Sequence, residues 1–70
     1  MYKGYFYDLS GHEINKIEPI CLMSNLESSI VEVSLTLGFE MILMSKGNDF
    51  ALFEVNSKMR LLISNGHIKD

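Results

Sequence analysis

From Phe39 to Ser64 the chain is written as three apolar segments, FEMILMS, FALFEV and MRLLIS, separated by the polar breaks Lys46-Gly47-Asn48-Asp49 and Asn56-Ser57-Lys58. Apolar runs of this length bounded by Gly, Asn, Asp and Ser read as strands, because those residues accept the backbone angles of tight reversals. The pattern is that of a β-meander. Asn65-Gly66 is the strongest of the turn signals, since both residues tolerate positive φ, and it predicts a short last strand over His67 to Lys69. Within the segments, Ala51, Phe53 and Val55 face one way and Phe50 and Leu52 the other, while Met59, Leu61 and Ile63 are opposed by Leu62. Both faces of the sheet therefore carry apolar residues.

Upstream, Tyr2, Tyr5, Phe6 and Tyr7 favour a pleated, half-buried surface, and a strand is expected over Tyr2 to Asp8. Leu9-Ser10-Gly11-His12 carries turn chemistry, so a hairpin with a second strand over Glu13 to Glu18 follows, ended by Pro19.

The segment between Ser24 and Phe39 admits two readings. Val31, Val33, Leu35, Leu37 and Phe39 alternate with polar residues as a strand would. The helical reading has more support. Ser24 and Glu27 have the spacing of a capping box, Leu26, Ile30, Val33 and Leu37 form one apolar stripe, and Gly38 suits the left-handed residue that closes a helix, with Phe39 folding back over the last turn. A strand running on to Met44 would also be unusually long. A helix over Asn25 to Leu37 gives the order ββαβββ: one α+β domain spanning residues 1–70, with a single helix on a twisted antiparallel sheet.

At 70 residues the chain holds one core at most, and domains this small usually add disulfides, a metal or a partner subunit. Cys21 is the only cysteine, so no internal bridge forms, and a reducing, cytoplasmic setting is expected. The opening MYKGYFYDLS lacks the apolar run of a secretory signal, and no stretch is long enough to span a membrane. His12, Cys21 and His67 lack the paired spacings of a metal site, and the glycines never assemble into a phosphate-binding loop. No metal, cofactor or nucleotide is expected. A net charge of −3 argues against nucleic acid as a partner. Another protein, or a second copy of the chain as a homodimer, remains.

Three features bear on chemistry. His12 and His67, with Lys58 or Arg60 nearby, have the residue types of a small hydrolase or nuclease, but both histidines adjoin glycine in expected turns, where a solvated imidazole is the ordinary outcome. Cys21 lies in Ile20-Cys21-Leu22-Met23 and is expected to be a buried small hydrophobe. The third feature is the outer side of the helix. Placing residues at 100° intervals sets Val31 and Leu35 opposite the buried stripe, beside Glu27, Ser28 and Glu32, and between Ile17 and Ser45 no Lys or Arg occurs. An apolar pair rimmed by carboxylates has the make-up of a small interface. A single helix also covers only one face of a sheet. The sequence thus points to a non-enzymatic protein-binding module, an inhibitor, antitoxin-like or regulatory protein with no catalytic residues, whose contact residues are Glu27, Val31, Glu32 and Leu35 and whose partner carries a basic surface.

Overall fold

The computed structural model describes residues 1–38 and 40–66. In chain order the elements are β1 (Lys3–Asp8), β2 (Ile20–Cys21), α1 (Leu26–Leu37), β3 (Met41–Lys46), β4 (Phe50–Val55) and β5 (Met59–Ser64). This is the expected ββαβββ order, with one helix and a five-stranded sheet whose strands all pair antiparallel. The strands lie in the order β2-β1-β5-β4-β3, so the first long strand sits inside the sheet against the last.

The second strand is not where the sequence pattern put it. Glu13 to Glu18 forms no strand; Glu13 makes one isolated bridge to Tyr7, and the pairing strand comes after Pro19, at Ile20–Cys21. Backbone bonds fix that position: Tyr2 N–H donates to Met23 C=O and Leu22 N–H donates to Tyr2 C=O, each at 2.9 Å. Pro19 thus precedes an edge strand, where its missing N–H costs nothing. The turn after β1 is held by Asp8, whose Oδ1 accepts from the N–H groups of Ser10 and His12 at 2.9 Å. Between β4 and β5, Asn56 and Ser57 both take positive φ, and Lys58 N–H closes the reversal on Val55 C=O. The last strand expected over His67 to Lys69 lies outside the described residues, as does Phe39.

Register assigns the faces. The row Phe6, Leu61, Phe53, Leu43 runs across β1, β5, β4 and β3, and its first three members are buried beneath the helix. Next to it runs Gly4, Ile63, Ala51. Gly4 is required there by close approach, because a Cβ would stand 3.0 Å from Leu61 Cδ1. Leu26, Val33 and the partly buried Ile30 and Leu37 close the core from above, as the apolar stripe predicted. Complete burial of one such side chain stabilises a fold by about 2 kcal/mol. The opposite face has no helix. Its Tyr5 is nevertheless buried, and Phe50, Leu52 and Leu62 are half-buried. Part of the surplus apolar surface anticipated for that face is there, at exposed Ile42 of β3, and more is found on the helix and at Leu43.

Candidate protein-docking surface

The helix begins at a cap one residue later than the expected one. Ser24 and Glu27 do not form the capping box; Asn25 takes the extended conformation and its Oδ1 accepts from Ser28 N–H at 2.8 Å. Asparagine caps as well as serine. At the other end Gly38 has φ 64° and ψ 17°, the left-handed conformation that stops the helix.

Ser29 ties this start to the preceding loop. Its side chain is fully buried, its Oγ accepts from Met23 N–H at 3.0 Å and donates to Asn25 C=O at 2.8 Å. Met23 is thereby fixed against the outer side of the helix, where it lines a shallow groove with Glu27, Ser28, Val31, Glu32 and Leu35. Val31 is 56% and Leu35 79% exposed, one turn apart. All four residues expected to form the contact line this one groove.

The electrostatics differ from the sequence pattern in one respect. Lys46, at the end of β3, reaches across the fold to Glu27, with Nζ 3.3 Å from Oε2. The patch is therefore not free of cations, because β3 returns a lysine that is distant in sequence. Both partners are substantially exposed, and an ion pair of that kind is worth little. Glu32 is different: its Oε1 is shielded from solvent and has no hydrogen-bond partner.

The other candidates take ordinary places. His12 is exposed in the Asp8 turn, with Nδ1 3.6 Å from Asp8 Oδ2. The Asp8 carboxyl is held below its usual range first by the His12 N–H, then by the Ser10 N–H and the adjacent imidazole. His67 lies outside the described residues. Cys21 is exposed, not buried as its apolar neighbours suggested, because β2 is an edge strand that directs Ile20 toward the core and Cys21 away from it. Among the described residues no three His, Cys, Asp or Glu side chains are grouped to hold a metal ion. Among the described residues no helix is long and apolar enough to cross a membrane.

Beyond the helix, exposed apolar residues continue on β3. Leu43 shares a row with buried Phe53, Leu61 and Phe6, yet it is 52% exposed, because α1 packs chiefly on β4 and β5. Ile42 and Met44 are exposed as well. No protein-family model, curated protein or solved structure matches this chain.

Proposed function

We propose that the chain is a non-enzymatic protein-binding module, inhibitor, antitoxin-like or regulatory in kind, that docks the outer side of α1 on the basic surface of a partner protein. The observation that carries this reading is the exposed Val31–Leu35 pair, flanked by Glu27 and Glu32 and extended by Met23. On docking, the apolar centre excludes water and supplies affinity, while the carboxylates draw a basic surface in and set its orientation. Lys46 is exchanged for a cation of the partner at little cost.

The test compares capture by immobilised wild type, Leu35→Glu and the double variant Glu27→Lys/Glu32→Lys from the same extract, followed by kinetics on the isolated partner. A protein retained stoichiometrically by wild type and lost with Leu35→Glu, through dissociation at least about tenfold faster, is the expected result. The double variant should slow association and flatten its dependence on salt. A partner held equally by all three proteins overturns the assignment to this face.

A further inference from the structure

We propose that β3 is a self-pairing edge, through which two copies of the chain join their sheets antiparallel about a two-fold axis at Ile42. Among the described residues no strand lies outside β3, and the backbone of that edge specifies the occupant. Asn56 N–H donates to Glu40 C=O at 2.9 Å and Asn56 Oδ1 accepts from Glu40 N–H at 3.0 Å, so the polar groups of Glu40 point toward β4. Alternation along an antiparallel ladder then turns those of Met41 and Leu43 to the open side. A row of unsatisfied N–H and C=O groups is completed by another extended strand.

Side chains narrow the choice to a second copy. A two-fold interface brings each residue of a patch against the same patch, which is tolerated only where that patch is free of like charges. Met41-Ile42-Leu43-Met44 contains none, and Ile42, Leu43 and Met44 are exposed. The charges stand at the ends and have opposite signs, Glu40 before the strand and Lys46 at its close. Antiparallel pairing keeps the like charges of the two copies apart, whereas parallel pairing sets them together; Lys46 stays on the helix side with Glu27, and Glu40 lies on the face of Ile42. The ladder also fixes the register. Met41 and Leu43 each exchange backbone bonds with the other copy's Leu43 and Met41, and Ile42 meets its own counterpart. The register shift between Leu43 and Ser45 falls at Met44 and limits the ladder to residues 41–43. Leu43, left uncovered by α1, packs against Met41 of the second copy. Both helices then stand on the same side of the joined sheet.

Sedimentation over a concentration series tests this, with oxidative cross-linking to read the register. Wild type should convert from monomer to dimer as concentration rises. Ile42→Lys should weaken the dimer by about tenfold or more while keeping its circular dichroism, because charge on an edge opposes strand addition. Leu35→Glu should leave the dimer unchanged, which separates this edge from the helix surface. In a Cys21→Ser background, Ile42→Cys should form a covalent dimer on oxidation, since a pair without backbone bonds sets its Cα atoms about 4.5 Å apart, within disulfide reach. Lys58→Cys in the same background should not. A wild type that stays monomeric, a dimer indifferent to Ile42→Lys, or equal oxidation at the two cysteine positions overturns the proposal. Should Ile42→Lys fail to fold, the cross-link decides alone, and its absence counts against the edge.

Discussion

Val33 and Leu35 stand two residues apart in α1, and one is 1% exposed while the other is 79% exposed. Under the two-residue period of a strand they would share a face; on a helix they fall on opposite sides. The inner side, with Leu26, Ser29 and Val33, is buried, and the outer side, with Val31 and Leu35, is left to solvent. The difference teaches that the ends of a segment can settle its period. The alternating middle is compatible with either form, but the Asn25 cap and left-handed Gly38 permit only the helix.

The largest effect expected of this contrast is on the inner side. Val33→Asp sets an unpaired carboxylate in the core and should cost about 3 kcal/mol or more, enough to unfold much of a domain this small. A denaturation midpoint close to wild type would break the contrast at its buried pole. Ser29→Ala comes next, because it strips Met23 N–H of its acceptor by removing one oxygen and adds no bulk; a loss of about 2 kcal/mol in urea denaturation is expected. A loss below about 0.5 kcal/mol would reduce the serine to a bystander. Gly38→Val should cost about 1 kcal/mol or more, since its positive φ resists a β-branched side chain even though no neighbour crowds the site. An unaltered midpoint would favour a continuous bulged strand. The smallest effect belongs to Leu35→Glu, within about 0.5 kcal/mol of wild type and with an unchanged circular dichroism spectrum. Unfolding of that variant would place Leu35 inside and remove the docking surface altogether.

Local signals carried the legible part. Helix α1 was expected over Asn25 to Leu37 and spans Leu26–Leu37, and the three segments after Gly38 became β3, β4 and β5; of the faces that alternation separated, the one with Ala51, Phe53, Val55, Leu61 and Ile63 is buried. Turn residues and periodicity are properties of neighbours in sequence, so they survive the absence of any tertiary knowledge. What was not legible depends on distant pairing. The position of β2 rests on bonds between Tyr2 and the Leu22–Met23 backbone, and the turn residues before it gave no sign of them. Exposure of Cys21 follows from that edge position. Leu43 illustrates a second limit, since alternation tells which face a side chain takes but not whether the helix reaches its strand. Lys46 shows a third: its contact with Glu27 joins two elements by a path through the fold.

The placement of β1 between β2 and β5 sets an order of assembly. Its long register runs from Lys3 opposite Ser64 to Asp8 opposite Met59, so the earliest strand of this chain to be synthesised waits for the latest. Up to Val55, a growing chain can form α1 and the β3–β4 hairpin from neighbouring residues, but β1 has only the two residues of β2 opposite Lys3 and Gly4 and the single bridge from Glu13 to Tyr7. Pairing so distant in sequence slows the search without greatly raising its entropic cost, which grows only with the logarithm of the loop. Once β5 arrives, it joins both halves of the sheet in one step, with β1 on one flank and β4 on the other. A chain cut short before Met59 would therefore lose the seam of the sheet rather than a margin, and no ladder would join β1 to β4.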